Sequence, residues 1–182
     1  MQARNDYWTL SKHPDGFKHA FYTLKNGRIL HYVTATKNET GKHSSNLVLF
    51  LHGWPDSWML WSTVMRKTIL NSENTRLVAL DLPGYGGSDS LDKHDATQVL
   101  EAVTEFALGM RAQYLDAETE STVLLVAHDW GAVCGFKLAS QAPQLFDRLI
   151  LMNSTLVRIY GVVVPQIADF AQARISNREH LQ

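Results

Sequence analysis

The chain has 182 residues, of which 45% are hydrophobic and 19% are charged, a composition typical of a folded globular protein. Its formal net charge is -1 and it has no basic run, which argues against a nucleic-acid partner because phosphate binding needs clustered lysine and arginine. Cys134 is the one cysteine, so no internal disulfide is expected, and with neither an apolar signal core nor a membrane-length apolar run the sequence predicts a cytoplasmic protein without a membrane span.

The first predicted element is a β-hairpin in the stretch FYTLKNGRILHYVTA. Two strand-like segments flank Asn26-Gly27, a dipeptide that favours tight hairpin turns. A polar, turn-rich stretch, NETGKHSSN, follows and is expected to be an exposed loop. The sequence therefore predicts an antiparallel pair of strands before the main part of the sheet.

Four continuous apolar runs follow, in NLVLFLHG, RLVALDLPG, STVLLVAHD and DRLILMNS. Runs without alternation are typical of strands that are buried on both faces of a parallel sheet. Segments of helical length separate them, at Ser57 to Leu70, Ala96 to Leu115 and Trp130 to Ala142. Strand alternating with helix predicts an α/β fold, with a mostly parallel sheet and helices on both faces.

No further strand-helix unit follows the fourth run, so the fold is expected to be incomplete on its C-terminal side. Residues 1–157 are interpreted as the N-terminal part of the core and residues 158–182 as the start of a lid or a frayed tail, with a short amphipathic helix in QIADFAQARI. The segment RLILMN then becomes an apolar sheet edge, at which self-association is expected.

The stretch AHDWGA places Asp129 at the tip of the third buried run. Ala127, Gly131 and Ala132 are small enough for a tight strand-to-helix corner, which is the geometry of a nucleophile elbow. The positive end of the following helix would keep a carboxylate there ionised and oriented. The alternative is an ordinary helix cap, since aspartate is common at that position, and the motif alone favours neither interpretation.

The stretch HGWPDSW follows the first buried run. A backbone N–H in this loop can face the elbow and, with the N–H of Trp130, form an oxyanion hole. Gly53 permits an unusual backbone angle and Pro55 stiffens the loop. His52 is interpreted as a part of the loop structure rather than as a catalytic residue.

The stretch DLPGYGGSD has a superficial likeness to a dinucleotide-binding loop through Gly84, Gly86 and Gly87. Asp89 occupies the place of the last glycine of that motif, and Asp81 crowds its start. A rigid loop at the rim of a pocket is the better interpretation.

With these three motifs in order, the chain resembles the α/β-hydrolase superfamily, and most closely its epoxide hydrolase branch, over roughly residues 20 to 155. The resemblance implies that Asp129 is the nucleophile and that the backbone N–H groups of Trp54 and Trp130 form the oxyanion hole. It also implies a cis bond between Trp54 and Pro55. Residues that would support the loop and the elbow are His52, Gly53, Pro55, His128 and Gly131.

The chemistry implied by the resemblance suits an aspartate. Its carboxylate is ionised at neutral pH and can attack a saturated carbon directly, whereas a serine first needs a base. The product is an alkyl-enzyme ester, which a histidine-activated water hydrolyses to a diol. The expected substrate is small and apolar, an epoxide or an alkyl halide, and no metal or organic cofactor is implied.

Two alternatives remain beside this interpretation. Haloalkane dehalogenases share the aspartate elbow, but that family commonly has asparagine where this chain has Trp54. The other is a non-catalytic relative that binds a small ligand or a partner. The resemblance implies lid tyrosines, an acid and a base that this sequence does not supply, since Tyr160, His94 and His180 fit none of these roles. The chain alone is therefore expected to be alkylated once and not to turn over.

Overall fold

The computed structural model describes residues 16–37, 43–93, 95–116 and 119–154. Several predictions fall on other parts of the chain and lie outside the described residues. These are the tail at residues 158–182 with its amphipathic helix, part of the polar loop, and the side chains of His94, Tyr160 and His180. The division into residues 1–157 and 158–182 stays a prediction.

Within the described residues, six strands form one sheet in the order β1-β2-β4-β3-β5-β6. Strands β1 and β2, and likewise β2 and β4, pair antiparallel, whereas β4, β3, β5 and β6 are mutually parallel. This arrangement confirms the predicted α/β fold with its mostly parallel sheet. The strands are β1 Lys18–Thr23, β2 Ile29–Ala35, β3 Asn46–Leu51, β4 Thr75–Leu80, β5 Thr122–His128 and β6 Arg148–Met152.

The predicted hairpin is confirmed at β1 and β2. Thr23 faces Ile29 across the turn, and the Leu24 and Arg28 backbones are joined by a hydrogen bond of 2.8 Å. Gly27 has a φ of 82°, a left-handed angle that glycine adopts without steric cost. The turn therefore has the asparagine-glycine chemistry that the sequence indicated.

Three α-helices connect the strands, namely α1 Ser62–Leu70, α2 Ala96–Tyr114 and α3 Trp130–Gln141. The first predicted helix, Ser57 to Leu70, differs in its first turn, since Trp58–Trp61 forms a 3₁₀-helix before α1 begins. In a 3₁₀-helix the side chains at i and i+3 eclipse each other. Both indoles of this turn, at Trp58 and Trp61, consequently point into the core and are only 3% exposed.

The core lies on both faces of the sheet because successive strand residues point to opposite sides. In β3, Leu47, Leu49 and Leu51 pack with α2 and α3, whereas Val48 and Phe50 pack on the other face with the 3₁₀-helix and Met65 of α1. The predicted placement of helices on both faces is thereby confirmed. Cys134 is a buried core residue of α3.

Strand β6 ends the sheet on the side away from the hairpin, within the described residues. Ile150 is 48% exposed and Met152 is 38% exposed, so this strand presents apolar surface. The predicted apolar edge is present, and the self-association expected there stays a prediction.

The strand register brings three motifs to one edge of the sheet. Leu51 at the end of β3 is aligned with Leu80 of β4 and with Ala127 of β5. The residues that follow these positions, among them His52 and Asp81, therefore emerge side by side at the carboxyl ends of the parallel strands. This is where ligands bind in open α/β sheets.

Candidate active site

Asp129 occupies a strained corner between β5 and α3. Its backbone has φ 53° and ψ -122°, a left-handed φ that a residue with a Cβ rarely adopts. The Asp129 carbonyl accepts the N–H groups of Ala132 and Val133 at 2.9 and 3.1 Å, which begins the helix. The Asp129 N–H donates to the Met152 carbonyl at 3.1 Å, which ties the corner to the end of β6. The corner is thus held by backbone hydrogen bonds to both α3 and β6.

The carboxylate of Asp129 does not cap α3, although the residue stands at the N-cap position. Its Oδ1 instead accepts the backbone N–H of Trp54 at 3.0 Å, from the loop after β3. Trp130 is the first residue of α3, and its N–H is one of the first helical N–H groups, which have no intrahelical acceptor. A group bound at this corner would therefore meet two backbone donors and the positive end of a helix.

Two glycines allow this close approach. A Cβ on Gly131 would lie 2.3 Å from the His52 carbonyl oxygen and 2.6 Å from that of Leu51, so α3 could not start so near the end of β3. A Cβ on Gly53 would lie 2.4 Å from the Cβ of Asp129. Gly131 is therefore required by the contact between the two loops. Gly53 is required for the same contact, and not for a left-handed backbone angle, since its φ is not positive.

His52 is fully buried and uses both ring nitrogens for backbone groups. Its Nδ1–H donates to the Gly53 carbonyl at 2.8 Å, and its Nε2 accepts the Leu82 N–H at 3.0 Å. Burial lowers the pKa of His52, while the Gly53 carbonyl and the carboxylates of Asp81 and Asp56 oppose that shift. The ring is neutral in this arrangement and holds the loop.

The loop after His52 also carries the cis peptide bond between Trp54 and Pro55 that the resemblance implied. The Trp54 side chain is 67% exposed and that of Trp130 is 61% exposed. Trp54, which donates to the Asp129 carboxylate, and Trp130, which follows Asp129 in the chain, thus each add a large apolar side chain to the protein surface.

His128 directly precedes Asp129 and is held at the sheet edge. Its Nε2 accepts a hydrogen bond from the Asn153 side-chain amide at 3.2 Å. Its Nδ1 is buried and has no hydrogen-bond partner in the described part of the chain. His128 therefore contacts the end of β6 and not the Asp129 carboxylate.

The loop DLPGYGGSD is organised around Asp81, a fully buried carboxylate. Asp81 accepts the N–H of Trp58 at 2.7 Å on Oδ1, and the N–H of Gly87 at 2.9 Å and His31 Nδ1–H at 2.7 Å on Oδ2. A Cβ on Gly86 would lie 2.0 Å from that carboxylate. These glycines approach a side chain of the protein itself, which agrees with the rejection of a nucleotide-binding loop.

Sequence reasoning missed the part that Asp81 plays. The available signal was a carboxylate directly after a continuous apolar strand, the same signal that marked Asp129. Its partner His31 lies in the hairpin, far away in sequence, and no local motif joins the two.

Within the four described ranges, no three histidine, cysteine or carboxylate side chains are grouped so that they could hold a metal ion. None of the described helices combines the length and the apolar character needed to cross a bilayer.

Comparisons with known proteins place these features in a family. Residues 46–180 match the family described as alpha/beta hydrolase fold. Mouse Epoxide hydrolase 4 is 33% identical over 136 residues, which cover 74% of this chain and 34% of that protein. Epoxide hydrolase 1 of Caenorhabditis elegans is 31% identical over 139 residues, which cover 76% of this chain and 31% of that protein. The chain thus spans about a third of the length of these curated relatives.

A solved structure has the same fold. The crystal structure of an epoxide hydrolase from Vigna radiata superposes with a TM-score of 0.65 at 23% identity, covering 88% of this chain and 47% of that one. At 23% identity the likeness concerns the fold alone, and this fold agrees with the observed strand order.

Proposed function

The chain belongs to the alpha/beta hydrolase fold family, and from that premise we propose that it carries the nucleophilic half of an epoxide hydrolase site, with Asp129 as the nucleophile. The observation that carries the proposal is the hydrogen bond from the Trp54 N–H to Asp129 Oδ1 at 3.0 Å. It joins a carboxylate and a loop N–H that an acyl-transfer site of this family would need together.

The alternative for Asp129, an ordinary helix cap, requires its side chain to accept an N–H of the first helical turn. The carboxylate makes no such bond. A strained backbone corner that serves no cap is typical of a functional site, because strain of this kind persists only where surrounding contacts maintain it. The conformation of Asp129 therefore favours a nucleophilic role over a helix cap.

The first step of the proposed reaction is an attack by a carboxylate oxygen of Asp129 on an epoxide carbon. A new carbon–oxygen bond forms to the enzyme while the carbon–oxygen bond of the epoxide ring breaks. The ring oxygen stays on the adjacent carbon as an alkoxide and takes up a proton. The product is an alkyl ester of Asp129, and no atom is lost.

In the second step water attacks the ester carbonyl carbon and gives up a proton to a base, and the carbonyl oxygen becomes an oxyanion. The bond between the carbonyl carbon and the alkyl oxygen then breaks, the diol leaves after its oxygen takes up the proton, and the Asp129 carboxylate is restored. The N–H groups of Trp54 and Trp130 would stabilise that charge. The step also needs a base, and we assign none among the described residues. His52 is committed to the loop backbone, and His128 is bonded to Asn153.

The proposed substrate class is a small, uncharged, largely apolar epoxide. The supporting observation is the exposed apolar surface that Trp54 and Trp130 add beside the carboxylate. Burying such surface against an apolar ligand is favourable by about 25 cal/mol for each Å² removed from water.

The test is to expose the 182-residue chain to styrene oxide and to follow its intact mass. We expect one equivalent of label, located at Asp129 by peptide mapping, with no sustained formation of diol. Asp129→Asn should abolish labelling, because the amide is not a nucleophile of comparable strength. Parallel incubation with an alkyl halide separates a dehalogenase-like site, which would be labelled by the halide and not by the epoxide.

The matched control is Asp95→Asn, which changes an aspartate at the N-cap of α2. This variant should be labelled like the wild type. Label that is spread over several carboxylates, or no label from either reagent, would rule out the nucleophile and favour the non-catalytic relative.

A further inference from the structure

The loop that carries the Trp54 N–H is held at both of its ends by two consecutive residues that directly follow the neighbouring strand β4. We name residues 52–58 the oxyanion loop. At its start, His52 Nε2 accepts the N–H of Leu82 at 3.0 Å. At its end, the Trp58 N–H donates to Asp81 Oδ1 at 2.7 Å. The two anchors therefore lie on one short segment directly after β4.

The Asp81 anchor is itself fixed. Its other oxygen, Oδ2, accepts both the Gly87 N–H at 2.9 Å and His31 Nδ1–H at 2.7 Å, in a fully buried environment. The Asp81 carbonyl accepts the Ser88 hydroxyl at 2.6 Å. A carboxylate that is bonded through both oxygens cannot rotate without breaking a buried hydrogen bond.

The hairpin supports this carboxylate from behind. His31 Nε2 lies 2.9 Å from Nδ1 of His19, and the two rings stack with centroids 5.1 Å apart. His19 also meets the Trp58 indole edge-on, at 5.3 Å between centroids. The residue whose N–H ends the oxyanion loop is therefore in contact with the same group of buried side chains that holds Asp81.

We propose that Asp81 is a positioning residue for the proposed reaction, since it fixes the oxyanion loop through Trp58 and so sets where the Trp54 N–H meets Asp129. The bond between His52 and Leu82 holds the other end of the same loop. Asp81 does not touch the reacting atoms, because its carboxylate is buried behind the loop. This inference rests on the proposed function of Asp129, which it deepens.

Asp81→Asn is the variant that separates positioning from folding. The side chain keeps its shape, but only one of its two oxygens remains an acceptor. The remaining amide oxygen should take the place of Oδ2 and face Gly87 and His31, because two donors converge at that position. The backbone N–H of Gly87 can only donate, so it needs an acceptor. The new NH₂ group then faces the Trp58 N–H, and two donors oppose each other at the end of the oxyanion loop.

Thr34→Val is the matched control. It removes a buried hydrogen bond of the same hairpin strand, from the Thr34 hydroxyl to the Leu77 carbonyl at 3.0 Å, and leaves every hydrogen bond of Asp81 in place. Both variants remove a buried hydrogen bond, so both should lower the melting temperature. Only Asp81→Asn should move the oxyanion loop.

The experiment measures the rate of labelling by styrene oxide at a series of epoxide concentrations. It also records the backbone ¹⁵N–¹H resonances of protein that contains ¹⁵N-tryptophan. The resonance that is missing in Trp54→Phe is the Trp54 signal. Asp81→Asn should lower the maximal labelling rate by about tenfold or more, because small misplacements of a reacting group have effects of that order. The epoxide concentration at half-maximal rate should change less than about twofold, and the Trp54 amide signal should shift. Thr34→Val should leave the maximal rate and the Trp54 amide signal as in the wild type.

If Asp81→Asn fails to fold, His52→Asn tests the other anchor, since its amide can still donate to the Gly53 carbonyl but no longer reaches Leu82. An unchanged maximal rate and an unmoved Trp54 amide in the folded variant would overturn the proposal. An equal loss of rate in Thr34→Val would also overturn it, since the role of Asp81 would then be general support of the fold. The Trp54 amide signal can be measured without any reaction. If the wild type is not labelled, the proposed function is refuted, and the amide signal of Asp81→Asn still shows whether Asp81 fixes the oxyanion loop.

Discussion

Among the described helices, α2 and α3 are each preceded by an aspartate at the N-cap position, and the two carboxylates accept hydrogen bonds from different kinds of partner. Asp95 precedes α2 with an extended backbone, φ -84° and ψ 160°, and its Oδ1 accepts the Gln98 N–H at 2.9 Å, an ordinary cap. Asp129 precedes α3 with φ 53°, and its Oδ1 accepts the N–H of Trp54 from another loop. The same residue type at the same helical position is a cap in one place and a presented carboxylate in the other.

The difference lies in the backbone and in the neighbours, not in the side chain. An extended N-cap residue aims its side chain back at the first turn of its own helix. The left-handed φ of Asp129 directs the carboxylate elsewhere, and the loop after β3 supplies a donor for it. A conformation that forfeits a stabilising cap requires support from its surroundings, and here Gly131 and Gly53 make the close contacts.

The largest expected effect on stability comes from the second helical residue. Gly131→Ala should lower the free energy of unfolding by about 3 kcal/mol, because its Cβ would clash with backbone oxygens of β3 and the next residue, which cannot rotate away. Thr97 is the equivalent residue of α2 and is exposed, so Thr97→Ala should change stability by less than about 0.5 kcal/mol. Urea denaturation measures both, and equal effects would remove the distinction between the two helix starts.

Replacing the two N-cap aspartates should change the free energy of unfolding with opposite signs. Asp95→Ala should cost about 1 kcal/mol, because the Gln98 N–H loses its acceptor. Asp129→Gly should raise the free energy of unfolding by about 1 kcal/mol, because glycine relieves the strain of a positive φ, and should abolish labelling by epoxides. Thermal unfolding of both variants tests the signs, and a loss of stability in Asp129→Gly would mean that the corner is not strained.

The smallest expected effect is a response to mild acid at the Asp129 corner. Burial lowers the pKa of His52 below its ordinary value of 6.5, so the folded protein favours the neutral ring. The resulting stability is fully present above pH 6.5 and is lost as the pH falls below that value through the folded-state pKa. Urea midpoints at pH 7.5 and pH 5.5 should therefore differ less in His52→Asn than in the wild type. An identical pH response would show that His52 does not contribute.

The sheet and its helices could be predicted from the sequence because their signals are local. Continuous apolar runs marked β3, β4, β5 and β6, and Asn26-Gly27 marked the hairpin. The corner at Asp129 was also visible, since small residues around a single carboxylate leave few other interpretations. Whether the carboxylate caps its helix was not, because the N–H that it accepts comes from Trp54, in the loop after a different strand.

The remaining features depend on contacts that no local pattern contains. The bond between Asp81 and His31 joins β4 to the hairpin. The 3₁₀ turn at Trp58 depends on the burial of two indoles and on a carboxylate that accepts its first N–H. In both cases a residue's role is set by a partner that is distant in sequence and near in space.

The strand order has a consequence for how this site comes into being during folding. The hairpin can form from local contacts, but β3 and β5, which are far apart in sequence, must pair before Trp54 and Asp129 can meet. Pairings between distant segments form slowly compared with hairpins. We therefore expect the hydrogen bond between Trp54 and Asp129 to form after the hairpin, and its amide signal can report when β3 and β5 have paired.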